Sequence, residues 1–106
     1  MKRDQSTGTY SIAEIQMLKE RMIVCLVSFG MSQKATAEML GVAPKTICKW
    51  VGEAGGWEAI KKQFADRNRL FKDSANGLLM YAKKSKEFAH VYPDMEAAYR
   101  KFTSVI

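Results

Sequence analysis

An all-α fold of about six helices follows from three features of this sequence. Apolar residues recur at three- and four-residue spacing from Ile12 to Phe102, with no strand-type alternation. Breakers fall between these stretches, at Gly30, Gly41, Gly55-Gly56 and Pro93. Hydrophobic residues make up 47% of the 106, enough for one modest core rather than a disordered chain.

The elements follow in order. Residues 1 to 10 read as a flexible polar tail. Ser11 and Glu14 form a capping box that opens the first helix. Its apolar set, including Ile12, Ile15, Leu18, Met22, Cys25, Leu26 and Phe29, is thickened by Ile23, Val24 and Val27 until the last two turns are apolar nearly all round. Such a helix is buried on more than one side, as a scaffold or as part of a dimer seam. Gly30 ends it. Ser32 caps a short second helix that runs through Leu40, and Pro44 to about Val51 forms a third. Gly52, Gly55 and Gly56 make a flexible break, and Trp57 opens a further helix with Ile60, Phe64, Leu70 and Phe71 as its apolar positions. Asn76-Gly77 is a breaker pair, after which Leu78, Leu79, Tyr81, Ala82, Phe88, Val91 and Tyr92 resume a helical pattern. Phe64, Phe71 and Leu78 fall seven apart, the spacing of a coiled interface, interrupted at Ser85. Pro93 stops that helix, and a last one carries Met95, Ala98, Tyr99 and Phe102, with Asp94 and Glu96 near its positive end.

The stretch from Gln33 to Gly52, QKATAEMLGVAPKTICKWVG, meets four steric demands at once. Ala37 sits where two short helices cross and a larger side chain would push them apart. Gly41 sits at the turn, where the backbone needs positive φ. Leu40 and Val42 bracket the turn as buried plugs. Ile47 and Trp50 lie three apart and face the core. This pattern resembles the helix-turn-helix superfamily of phage repressors, transposase N-termini and small terminase subunits, over about a third of the chain. The longer string from Gly30 to Gln63, with its Gly55-Gly56-Trp57 element, resembles mobile-element and tailed-phage DNA-binding modules. One departure is Ala43, where the family often has Ser or Thr to cap the second helix; Pro44 partly compensates by fixing φ.

The resemblance implies a domain over residues 11–56 that seats a recognition helix in the DNA major groove, followed by a helical region over 57–106 for basic contacts or oligomerisation. On the recognition helix the outward positions are Pro44, Lys45, Cys48 and Lys49, with Thr46 on the flank. Lys45 and Lys49 are one turn apart, suited to guanine edges or phosphates. Asn, Gln and Arg are absent from this helix, so phosphate contact should dominate. Ser32, Gln33 and Lys34 open the preceding helix, an end that lies against the DNA backbone in this superfamily. Trp50 and Trp57 are assigned to the core rather than to base stacking.

Charge is compatible with the same partner. The formal net charge is +6, a sign suited to a polyanionic partner, nucleic acid or an acidic membrane surface, without deciding between them. Residues 57–106 hold ten Lys and Arg against six Asp and Glu. Lys61, Lys62, Arg67, Arg69 and Lys72 form one basic cluster; Lys83, Lys84 and Lys86 form another, suited equally to phosphates and to a solvated surface.

Other classes lack their residues. Cys25 and Cys48 make no metal spacing and no disulfide framework, which fits a reducing cytoplasm. His90 is the only histidine and has no companion ligands. The acids make no catalytic pair and no phosphate-binding glycine loop occurs, so neither an enzyme nor a cofactor is expected. The longest apolar run, Met22 to Val27, is far too short for a bilayer. No signal peptide is recognisable. The expected function is therefore double-stranded DNA binding by a small phage or mobile-element regulator, as a homodimer or larger homo-oligomer, at the nucleoid. The alternative is the DNA-recognition subunit of a phage packaging machine, partnered with a large terminase ATPase. A helical protein-binding adaptor comes third.

Overall fold

Helix α1 (Ile12–Val27) is the element around which the rest is arranged. Ser11 and Glu14 do form a reciprocal capping box, with Ser11 Oγ accepting from the Glu14 amide at 3.1 Å and the Glu14 carboxylate from the Ser11 amide at 3.0 Å. Met22, Ile23, Val24, Cys25 and Leu26 are all buried, five consecutive residues that cover every face of the helix. They are covered by this chain itself. α1 packs most extensively on α5 (Asn68–Lys84), and further on α2 (Gln33–Leu40) and α4 (Trp57–Asp66). α3 (Pro44–Ala54) and α6 (Tyr92–Val105) complete the all-α architecture. Ile23 and Val24 are thus scaffold residues with almost no surface left for a dimer seam, whereas Val27 is only half-buried.

A computed structural model describes residues 10–105, and residues 1 to 9 of the predicted tail lie outside the described residues. Tyr10 does not belong to such a tail. It is buried and joins the core beside α1. The core is one cluster running from Tyr10 to Met95, shared by both halves of the chain. Phe64 stacks on Phe71 with ring centroids 5.2 Å apart and meets Phe102 edge-on at 5.0 Å, which ties α4, α5 and α6 together. Rings prefer both of these arrangements to a face-to-face sandwich.

Several predicted boundaries move. α1 stops at Val27, before Gly30, and Ser28 Oγ donates to the Val24 carbonyl at 2.7 Å in its C-terminal turn. α3 continues through Gly52 to Ala54, and the break is made by Gly55 and Gly56, both at positive φ. The helix opened by Trp57 ends at Arg67, whose φ of −123° and ψ of 42° leave the helical region. Asn76-Gly77 does not break the chain; it lies inside α5, where Ala75, Leu78 and Ala82 anchor the surrounding turns in the core. α5 ends instead at Lys84, and Ser85 Oγ accepts from the Glu87 and Phe88 amides at 3.2 and 3.3 Å. Pro93 starts a helix rather than stopping one. It is the second residue of α6, where a missing N–H costs nothing. Phe64, Phe71 and Leu78 are buried core residues, so that seven-residue series is internal and not an interface.

Candidate nucleic-acid interface

α2 and α3 form the most locally determined part of the molecule. Ser32 Oγ accepts from the Ala35 amide at 3.0 Å and caps α2. Gly41 ends that helix at φ +73°, and both its amide and that of Val42 donate to the Ala37 carbonyl, at 2.9 and 3.0 Å. This left-handed C-cap is cheap only for glycine. Ala43 makes no side-chain cap, and Pro44 at the first helical position supplies the fixed φ. Ala37, Val42, Ile47 and Trp50 are buried as the spacing predicts; Leu40 is only half-buried.

These packing choices leave one face of α3 uncovered. Pro44, Lys45, Cys48, Lys49, Gly52 and Glu53 are exposed along it. Gly52 extends the Lys45–Cys48–Lys49 stripe by one turn with bare backbone, and a Cβ there would meet nothing within 4 Å. Thr46 is not on this face. It is 6% exposed, because it lies four residues before Trp50 and next to Ile47, on the buried stripe of the helix. It leaves the set of candidate contacts. Ser32, Gln33 and Lys34 are all exposed at the N-terminal end of α2.

The electrostatics separate the predicted cations into two groups. Lys34, Lys45 and Lys49 have no acidic partner among the described residues. Lys61 instead reaches Glu58 at 3.2 Å and lies over the Trp57 ring. Lys62 bonds Asp66 at 2.8 Å, a hydrogen bond that raises the lysine pKa above its ordinary value. Both pairs are exposed and weak, so a phosphate can compete for these lysines, but their charges are already partly matched within α4. Trp57 is 46% exposed rather than in the core. At the first turn of α4 it projects past the body that Ile60 and Phe64 cover, and Lys61 is its neighbour.

Two features escape sequence reasoning because they are tertiary. Glu53 ends the basic face of α3 with the wrong sign for a polyanion, and Lys19 of α1 bridges to it at 3.6 Å. The same ammonium sits 5.9 Å from the centre of the Trp50 ring. Thr36, on the inner side of α2, is fully buried, and its hydroxyl has no hydrogen-bond partner among the described residues. A threonine within a short helix of mixed polarity gives no sign of this.

Among the described residues no group of three or more His, Cys, Asp or Glu is placed to hold a metal ion. No helix there is long and apolar enough to cross a membrane. Cys48 is an exposed thiol beside the two lysines, whereas Cys25 is buried in α1. The chain matches no protein-family model, no curated protein and no solved structure.

Proposed function

We propose that this chain is a non-enzymatic double-stranded DNA-binding protein that seats α3 in the major groove, as helix-turn-helix proteins do. The observation that carries the reading is the set of unpaired lysines on α2 and α3. Lys34, Lys45 and Lys49 are exposed on α2 and α3 without acidic partners among the described residues, while Lys19, Lys61 and Arg67 nearby are matched by Glu53, Glu58 and Glu20. Leaving like charges unmatched on one short unit destabilises the monomer slightly and suits a phosphate-rich surface.

Contact with DNA runs through Ser32, Gln33 and Lys34 at the backbone and Lys45, Cys48 and Lys49 in the groove. Lys61 and Lys62 add phosphate contacts only by exchanging their carboxylates for phosphates. No Arg, Asn or Gln on α3 supplies a bidentate base contact, so most of the affinity is electrostatic and selectivity per copy is small. Two copies reading half-sites about one helical turn apart restore selectivity. A homodimer acting as a small phage or mobile-element transcriptional regulator, in the cytoplasm, answers this best. A small terminase-like packaging role beside a large ATPase requires a closed ring instead, and light scattering separates the two.

The deciding experiment is titration of a labelled duplex at increasing salt. Binding that weakens steeply, with a log–log slope near −0.9 for each phosphate contacted, is expected. Absence of binding at low salt refutes the proposal and leaves the protein-binding adaptor.

A further inference from the structure

We infer that the outer face of α5 is a self-association surface, on which a second copy of this chain packs antiparallel across a two-fold axis at Gly77. This stands whether or not the chain binds DNA. Leu70, Met80 and Tyr81 are exposed on this one helix, Met80 to 58% and Tyr81 to 51%. Leu70, Gly77 and Lys84 fall seven apart, and Asp73, Ser74, Met80 and Tyr81 fill the intervening positions. The result is a stripe, exposed throughout except at the half-buried Ser74, with the spacing of a helix–helix seam. It is the register one residue before Phe64, Phe71 and Leu78, which the chain's own core consumes.

Gly77 is the first reason to seat a helix here. It lies mid-helix, where glycine weakens the helix relative to alanine. Its backbone has no positive φ, and an added Cβ would meet nothing within 4 Å. Nothing among the described residues requires glycine there, whereas a helix crossing at close range does. Met80 is the second. It forms a ridge between two grooves of about 410 Å³ each, one bordered by Gly77, Tyr81 and Ser85 and the other by Leu79, Lys83 and Tyr92. A ridge beside a groove is self-complementary under a two-fold.

The register commits the occupant to another copy. With Gly77 on the axis, Met80 meets Ser74 of the other copy, a large side chain over a small one. Tyr81 meets Asp73, a phenol facing a carboxylate. The Lys84 stem lies over Leu70, with its ammonium about one turn, roughly 4.5 Å along the axis, from Asp73 of the other copy. Asp73 and Lys84 are the two charged groups on the stripe. Neither has an ion-pair partner within the chain among the described residues, and each finds one of opposite sign across the axis.

The test is sedimentation of the full chain at high micromolar concentration without DNA. The parent should be dimeric. Asp73→Lys alone and Lys84→Asp alone should each weaken the dimer by about tenfold or more. An equimolar mixture of these two variants should associate like the parent, because every cross-axis pair is then again of opposite sign. Gly77→Leu should give a monomer that, at a dilution where the parent is also dissociated, melts no lower than the parent, which separates lost approach from lost folding. A parent monomeric at that concentration, single variants that dimerise like the parent, or a mixture that stays apart would each overturn the assignment.

Discussion

Lys19 and Glu53 join α1 to α3 through a carboxylate–ammonium contact of 3.6 Å at the edge of the basic face. The pair is exposed on both sides, so its effect on folding is small, within about 1 kcal/mol. Its effect on an approaching polyanion is larger, because Glu53 lies one turn beyond Lys49. Glu53→Gln should tighten duplex binding several-fold. Lys19→Ala should weaken it by exposing the acid, and both variants should melt near the parent. Equal affinities for all three proteins would place the duplex elsewhere on the molecule.

Lys45 and Lys49 give the direct test of the groove face. Replacing both with alanine should weaken binding by about 2–4 kcal/mol if each contacts a base edge or a phosphate. The salt slope should fall by about 2, one contact for each lysine. Thr46→Val provides the contrast. Its side chain is buried against the core, so duplex affinity should not change when stability is matched. A loss from Thr46→Val equal to that of the double lysine variant would reverse the assignment of faces.

Two glycines in this unit should respond to substitution with opposite signs. Neither Gly41 nor Gly52 has an atom within 4 Å of a prospective Cβ, so space does not distinguish them. Backbone does. Gly41 holds φ +73°, where a side chain costs about 1–2 kcal/mol and a β-branched one more. Gly52 lies inside α3, where alanine is better by about 1 kcal/mol. Gly41→Val should therefore lower the melting temperature, and Gly52→Ala should raise it. Thermal melts of the two variants against the parent decide.

This unit was legible in sequence because its demands are local. A turn glycine, a small crossing residue and two inward plugs lie within twenty residues and need no knowledge of the rest. The second half was harder to read for a physical reason. Its break at Arg67 carries neither glycine nor proline, and the rings of Phe64 and Phe71 stack across it. Asn76-Gly77 looks like a break, yet tertiary burial of Ala75 and Leu78 overrides local propensity. The candidate site divided in the same way. Outward lysines on α3 follow from periodicity, whereas the Lys61–Glu58 and Lys62–Asp66 pairs depend on which rotamers α4 favours, and the Lys19–Glu53 contact depends on where α1 lies.

Thr36 offers a stabilising change that touches no proposed contact. Its hydroxyl is buried without a partner among the described residues, which forfeits the hydration it had in the unfolded chain. Valine has nearly the same shape and no polar atom to satisfy. Thr36→Val should raise stability by about 1 kcal/mol by chemical denaturation, with the denaturant slope and duplex affinity unchanged. Destabilisation would mean that the hydroxyl has a hydrogen bond in solution.

Cys25 couples stability to alkaline pH. Burial pushes its thiol from an ordinary value of 9.0 up to about 12, with Arg21 opposing the rise. The folded state therefore disfavours the thiolate relative to the unfolded chain. The contribution is fully present below pH 9.0 and is lost as pH rises from there toward about 12, because only the unfolded state readily gives up this proton. Cys25→Ala should be less stable at pH 7 through lost packing, and its stability should fall less steeply above pH 9.0 than the parent's. Cys48 is exposed and should behave differently. In the native protein near pH 8 a thiol reagent should label Cys48 quickly and Cys25 only at the rate of global unfolding. Fast labelling of both thiols would show that α1 opens without the rest of the fold, which its burial against α2, α4 and α5 argues against.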